Sequence, residues 1–392
     1  MRQIGLPLFP TSSSEVKVFL VSTHFIQYGL ELAGGLAAEG AQVCIAFCPR
    51  HADRLIGPQW RELLPTGVEV CELPFPPRRR VFSWPTLRNV LMLRRKMRRF
   101  HPDVVHLQSS IDPAVALVGL LAKRPVVVTV HDVTPHLGEE NKLNPFLNFL
   151  EYRVVLPVVR RKGIRFIVHG ESLRGALAER TRVPIQMITK VPHGVLRGFV
   201  ALDAGVEASH IEPTVLFFGR MEPYKGVDVL AKAVPLVRDR IPESRFVFAG
   251  KGTSLGKVQD VFGKDLAVEI HDEYVQAEDV GRLFRQATVV AAPYLEASQS
   301  GVIAVAFAFG VPVVATRVGA LPEVVRDKEN GLLVEPGDPA AFADSLCRVL
   351  EDPELTALLR AGARKSAEGE LSWRAVARKT LACYRGAPAG DP

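Results

Sequence analysis

From Val16 onward the chain alternates short β-branched runs with stretches of helical period, in two series separated by a patch where periodicity lapses. Few folds accept that pattern. Each apolar run wants burial on both faces, as a parallel strand gives it, and each helical stretch supplies the cover. In the first series the expected strands are Val16–Ser22, Gln42–Phe47, Val68–Glu72, Val104–Gln108, Val126–Val130 and Arg165–His169. Helices are expected near Leu30–Glu39, Pro85–Phe100, Pro113–Ala122, Phe149–Arg161 and Ser172–Arg182. The second series predicts strands at Val215–Phe218, Arg245–Ala249, Ala267–His271, Thr288–Ala291, Pro312–Ala315 and Leu332–Val334. Its helices fall at Val227–Arg240, Ala277–Arg285, Val302–Phe309, Leu321–Arg326, Pro339–Leu350 and Pro353–Glu368, with a last one at Trp373–Tyr384. The expected class is therefore α/β: two doubly wound, Rossmann-like parallel sheets facing across a cleft. The first domain covers 1–200, a linker 201–213, the second domain 214–370, and a final helix and tail 371–392.

At 392 residues and 47% hydrophobic the chain can bury two cores. Its five cysteines are odd in number and form no C-x-x-C pair, and no His cluster has zinc spacing, so a reduced, cytoplasmic protein without a metal is expected. Residues Met1 to Lys17 lack the apolar run of a signal peptide, and no run reaches the ~18 apolar residues that span a bilayer. The net charge of +7 is uneven: residues 1–200 hold 27 Lys and Arg against 15 Asp and Glu, the remainder 22 against 27. The basic excess lies within 78–99 and 160–165, interleaved in the first stretch with Phe82, Trp84, Leu87, Leu91 and Met97. That pattern fits peripheral attachment to an anionic membrane surface on its cytoplasmic face. A core-facing helix with a solvated Arg face reads equally well, and no nucleic-acid motif accompanies the charge.

The chemistry concentrates where strands end. Val215–Phe218 runs into Gly219, Arg220 and Lys225, and Gly226 opens the next helix. A strand C-terminus facing a helix N-terminus is an anion site, because free N–H groups and the helix dipole favour phosphate. A second anchor is Glu296-Ala-Ser-Gln299-Ser300-Gly301-Val302, entering a helix that ends near Gly310. Ser300 also reads as a plain N-cap. In the first series Gly29 closes the turn after the first strand, while His131-Asp132 and His193 follow later apolar runs, positioned to meet a substrate hydroxyl. Gly250–Lys257 resembles a phosphate loop but carries Val258 where the hydroxyl should stand, and neither G-x-G-x-x-G nor a Gly-x-Ser-x-Gly elbow occurs.

In combination, Phe218-Gly-Arg220, Lys225-Gly226, Gly301, Gly310-Val-Pro312, Gly319 to Glu323 and Asn330-Gly331 resemble the retaining family 4 glycosyltransferases of GT-B fold, over nearly the whole chain. The resemblance implies that Arg220 and Lys225 hold the diphosphate of a nucleotide-sugar donor, that Ser300, Gly301 and Val302 offer backbone to it, and that His131 meets the donor sugar. It implies a lipid-linked or glycan acceptor in cell-envelope or exopolysaccharide synthesis, domain closure over the substrates, and retention without a metal, the leaving phosphate taking the acceptor's proton. One departure stands out. The family's two glutamates, eight positions apart, fall on Ala297 and Val305, with Glu296 one residue early. A nucleotide-sugar epimerase of the same fold, or a nonenzymatic binding protein descended from it, are the alternatives.

Overall fold

A computed structural model describes residues 15–77, 83–108, 113–133, 164–203, 213–263 and 265–386. These divide into two units: the first takes residues up to Val133, those between Lys142 and Gly194, and the chain from Trp373 on; the second runs Val195–Ser372.

The first unit is built on a parallel sheet of seven strands: β1 (Lys17–Val21), β2 (Gln42–Phe47), β3 (Glu69–Glu72), β4 (Val104–Gln108), β5 (Val126–Thr129), β6 (Arg165–Val168) and β7 (Ile188–Lys190), in the order β3-β2-β1-β4-β5-β6-β7. Val18 pairs with Val43 on one side and Val104 on the other, so β1 lies at the point where the winding reverses. Helices α1 (Ile26–Ala38), α2 (Pro49–Ile56), α3 (Trp84–Phe100), α4 (Pro113–Leu121) and α5 (Glu171–Thr181) intervene. The second unit begins with the short α6 (Gly198–Ala201). Its six-stranded sheet comprises β8 (Thr214–Phe218), β9 (Arg245–Ala249), β10 (Val268–His271), β11 (Val289–Ala292), β12 (Val313–Thr316) and β13 (Gly331–Val334), ordered β10-β9-β8-β11-β12-β13. Between the strands run α7 (Val227–Arg240), α8 (Leu255–Phe262), α9 (Ala277–Gln286) and α10 (Gly301–Ala308), with α11 (Pro339–Glu351) and α12 (Pro353–Glu368) closing the unit. The strand residues are buried on both faces, as continuous apolar runs require: Val215, Phe217, Phe246 and Val314 pack toward α7 and α11, and Leu216, Val290 and Val313 toward α9 and α10.

The last helix, α13 (Trp373–Tyr384), belongs to the first unit. Glu39 at the end of α1 accepts from Arg374 at 3.0 Å and Arg378 at 2.9 Å. These guanidiniums hold the Glu39 carboxyl below its usual range.

Several elements differ from the sequence expectation, the short α6 among them. β7 is only three residues long, at a sheet edge, with its last residue exposed, so it gave no apolar run to read. α2 and α8 were not anticipated, since one opens on Pro49 after a strand and the other starts inside the glycine-rich stretch. Residues Leu321–Glu323 form a single 3-10 turn in place of a helix reaching Arg326. Asn330 accounts for that stop: its Oδ1 accepts from the Arg326 N–H at 2.7 Å and its Nδ2 donates to the Val324 carbonyl, turning the chain back toward β13. The helix expected at 149–161, His136, and the basic residues 78–80 and 160–162 lie outside the described residues.

Candidate active site

In the second unit the winding reverses between β8 and β11, and the loops leaving those two strands meet there. At the C-terminal ends of parallel strands such a reversal opens a crevice for ligands. After β8, Gly219 takes a φ of 104° and Gly226 one of 69°, conformations that side-chain-bearing residues avoid. A Cβ on Gly226 would run into the Pro293 carbonyl oxygen of the loop after β11, so glycine is what lets the two loops touch. Between the glycines the 3-10 turn Pro223–Lys225 folds the lysine inward, leaving it 9% exposed.

Lys225 donates to the Tyr294 hydroxyl at 2.8 Å and its Nζ lies 4.3 Å from the centre of that ring. Tyr294 in turn lies 3.2 Å from Ser300 Oγ, and Ser300 caps α10 by accepting from the Ile303 N–H at 3.3 Å. Among the described residues no carboxylate pairs with Lys225. The ammonium has three hydrogens and commits one; the two hydroxyls share one bond between them, which leaves one hydroxyl hydrogen over. Two ammonium hydrogens and one hydroxyl hydrogen therefore meet no hydrogen-bond acceptor among the described residues. The first N–H groups of α10, at Gly301 and Val302, add to them. A buried cation whose hydrogen-bond partner among the described residues is one neutral hydroxyl is costly until an anion arrives.

Val302 Cγ2 would stand 3.3 Å from a Cβ on Gly219, and Lys225 Nζ 4.0 Å from it, so β8, Lys225 and the start of α10 converge. Arg220 is exposed, its guanidinium 5.6 Å from the Tyr224 ring centre. Glu296 is exposed at the rim of the same loop. Gln299 Oε1 is buried without a partner. Val305 is 2% exposed, packed among Leu216, Val290, Val302 and Val313, and Ala297 turns its carbonyl toward Gly319.

In the first unit Gly29 lies within the first turn of α1, which begins four residues earlier than expected, and a Cβ there would strike Ser22. His131 is 2% exposed at the end of β5, stacked on Phe25 with ring centres 3.8 Å apart. Both of its nitrogens are engaged: Nε2 lies 3.0 Å from the Gln108 amide and Nδ1 3.1 Å from His169 Nε2. Asp132 is exposed beside it. His193, past β7, is 8% exposed, and its Nδ1 donates to the Gly194 carbonyl at 2.7 Å. Tyr28 stands edge-on to both His131 and His193 and to Trp373 of α13. Burial depresses every one of these imidazoles, His169 to about 4, His193 and His106 to about 3, and His131 well below its ordinary value. Sequence reasoning missed His106, Gln108, His169 and Tyr384 in the first unit and Tyr294 in the second. A usable signal was present for one of them: His131, His169 and His193 each follow a successive strand of one sheet. Among the described residues no group of three or more His, Cys, Asp or Glu side chains is arranged to hold a metal ion.

Two family models match. Glycosyltransferase Family 4 covers residues 27–196, and Glycosyl transferases group 1 covers 212–352. Among curated relatives, a D-inositol 3-phosphate glycosyltransferase of Saccharomonospora viridis is 38% identical over 196 residues, 47% of this chain and 45% of the relative. Another, from Segniliparus rotundus, is 30% identical over 239 residues, 58% of this chain and 53% of its own. The chain thus spans about half the length of the curated relatives it matches. Among solved structures, a glycosyltransferase from Rickettsia africae superposes with a TM-score of 0.70 at 16% identity, covering 95% of this chain and 98% of its own. Anabaena HepE, crystallised in complex with UDP, gives 0.66 at 17% identity, covering 93% and 98%. Those two likenesses establish the shared GT-B fold.

Proposed function

Since this chain belongs to the family 4 glycosyltransferases, we propose that it moves a sugar, with retention and without a metal, from a nucleoside-diphosphate sugar to a hydroxyl acceptor. The observation that carries the reading is Lys225: a buried ammonium whose hydrogen-bond partner among the described residues is one neutral hydroxyl, at the reversal point of the second sheet, beside the first N–H groups of α10. A leaving nucleoside diphosphate is the anion that such a cradle suits, with Arg220 adding a second charge from the rim. Donors fixed in place before reaction stabilise the charge developing on the leaving oxygen, and losing one such group typically slows turnover by about 10²–10³. With the diphosphate so held, its own oxygen takes the proton of the attacking hydroxyl. Transfer that stops on chelation would refute the metal-free part.

UDP is the first donor nucleotide to try, because HepE has been crystallised with UDP and with UDP-glucose. For the acceptor we read a lipid-linked or glycan substrate, and the surface of α3 supports the lipid-linked form. That helix buries Asn89, Val90 and Leu93, yet leaves Trp84 (65%), Leu87 and Leu91 exposed at helical spacing, flanked by Arg88, Arg94, Arg95 and Arg98. An exposed apolar stripe between cations suits an anionic bilayer surface, at about 1 kcal/mol per cation. Among the described residues no helix is long and apolar enough to cross a membrane. The curated relatives favour a second candidate, D-inositol 3-phosphate.

The deciding experiment is a melting screen against UDP, GDP, ADP and their sugar conjugates. A nucleotide at ~100 times its dissociation constant should add about 2.7 kcal/mol. The shift should vanish in Arg220→Ala/Lys225→Ala; a shift that survives in that variant would overturn the diphosphate assignment.

A further inference from the structure

The outer strands of a sheet carry backbone groups that invite another strand unless something blunts them. The two sheets here end on β3, β7, β10 and β13, and three of those edges are blunted. At β3 both end residues, Glu69 and Glu72, are acidic, so a second β3 laid antiparallel on it would bring carboxylates together. At β7 the Ile188 carbonyl accepts from Arg174 Nε at 2.9 Å. At β13 the Leu333 N–H donates to Asp327 Oδ1 at 2.9 Å. The edge at β10 is built differently.

The ladder between β9 and β10 shows which groups are left over. The Phe246 N–H donates to the Ala267 carbonyl at 2.9 Å and the Gly250 N–H to the His271 carbonyl at 3.1 Å. Alternate residues of a parallel strand face the same neighbour, so Ala267, Glu269 and His271 turn toward β9, and Ile270 turns its N–H and C=O away. Among the described residues no backbone group pairs with those two. The Ile270 side chain packs on the same core as Val268, which puts Glu269 and His271 on the opposite face. There Glu269 Oε1 lies 2.6 Å from His271 Nε2, and Oε2 3.5 Å from Arg245. Large apolar side chains stand in solvent around the strand: Leu266 is 98% exposed, Val261 of α8 68% and Tyr274 55%.

We infer that this edge pairs with the same edge of a second copy of the chain, antiparallel about a two-fold axis at Ile270, joining the two six-stranded sheets into one. Ile270 and the partner's Ile270 then exchange both of their backbone hydrogen bonds. Glu269 comes opposite the partner's His271, a carboxylate against an imidazole, and symmetry repeats the pair. Asp272 falls opposite the partner's Val268 and Glu273 opposite the partner's Ala267, so no acid meets an acid. Leu266 and Tyr274 lie equally far along the chain on either side of the axis, which sets each against the other across the seam. The pattern selects this register. An axis one residue earlier would put Glu269 against Glu269, and an axis one residue later would put His271 against His271 and leave both carboxylates unmatched. So short a ladder covers little of the ~1,000 Å² that a specific interface buries, and Val261, Leu266 and Tyr274 supply the apolar remainder.

The test is sedimentation velocity of the full chain over a wide range of concentration, without nucleotide or acceptor. The wild type should show a monomer–dimer equilibrium. Leu266→Glu changes a side chain almost wholly in water, so the fold is unaffected, and the dimer dissociation constant should rise by about tenfold. Glu269→Lys and His271→Glu should each loosen the dimer comparably, with unchanged circular dichroism showing that the fold is kept. Mixed in equal amounts, those two variants should pair with each other, because every carboxylate at the seam again faces a cation or an imidazole. A wild type that stays monomeric at every concentration overturns the inference. So does a dimer that Leu266→Glu leaves untouched, since the contact then lies elsewhere. Variants that each dissociate yet do not pair when mixed refute the register about Ile270.

Discussion

Replacing Lys225 by Met should move stability in two opposite directions. Lys225 is 9% exposed, and among the described residues its side-chain hydrogen-bond partner is the Tyr294 hydroxyl. Removing an ion from water costs several kcal/mol, and the compensation here is one bond to a neutral hydroxyl plus a cation–π contact worth up to about 2 kcal/mol. Met fills nearly the same volume without the charge, and Tyr294 keeps Ser300 as a partner. The unliganded second unit should therefore gain about 1–2 kcal/mol, a rise of roughly 2–8 °C for a unit of this size. With a bound nucleotide the sign reverses. The wild type gains about 2.7 kcal/mol at ~100 times the dissociation constant, and the variant should gain almost nothing. Scanning calorimetry with and without the nucleotide found by screening reads both effects. A variant that melts lower than wild type without ligand would mean that Lys225 is already compensated by the protein, and the argument for an anion site would fail.

Arg220 is exposed at the rim, so Arg220→Ala should leave stability within about 0.5 kcal/mol of wild type while abolishing transfer; near-normal turnover would remove it from the site. The buried imidazoles predict acid sensitivity. Their folded values lie below the ordinary 6.5, at about 4 for His169 and about 3 for His106 and His193, so between those values and 6.5 the unfolded chain binds protons that the folded one does not. The stability they contribute is complete above that window and declines as pH falls through it; a urea midpoint for the first unit that stays flat across the window would contradict neutral, buried rings. Neutralising Arg94, Arg95, Arg98 and Arg99 should weaken cosedimentation with anionic vesicles by several-fold, and unchanged partitioning would leave α3 as an ordinary solvated helix.

Strands with both faces buried were legible because parallel sheets demand unbroken apolar runs; Gln42–Phe47, Val104–Gln108 and Arg245–Ala249 fall where their residues predict. Local chemistry was legible too: Gly219, Gly226 and Ser300 announce a turn, a left-handed residue and a cap from their immediate neighbours. What stayed hidden is contact across sequence. Tyr294 is 69 residues from the lysine it meets, His169 lies 38 from His131, and Tyr384 lies 278 from His106. Nothing in a local window distinguishes a core tyrosine from one whose hydroxyl receives a buried ammonium. The histidines were separable only by position, one after each of three adjacent strands.

The missing glutamates bear on whether the site is altered or decayed. At the second of the two positions, Val305 is 2% exposed and belongs to the same apolar cluster as Leu216, Val290 and Val313. The helix has apolar neighbours on that side, and at the first position the Ala297 backbone is closely approached by Gly319. Restoring the family residue with Val305→Glu would thus bury a carboxylate among aliphatic side chains, a cost of several kcal/mol that shows as a lowered melting temperature and no gain in nucleotide affinity. The polar group that the loop does offer is Gln299, whose Oε1 is buried without a partner one residue before the cap. Gln299→Leu should therefore weaken nucleotide binding by about 1–2 kcal/mol while leaving the fold unharmed, since it removes an acceptor that the protein itself never satisfies. If instead Val305→Glu folds normally and tightens binding, the helix face is open after all, and the loss of the glutamates is decay of an ancestral site.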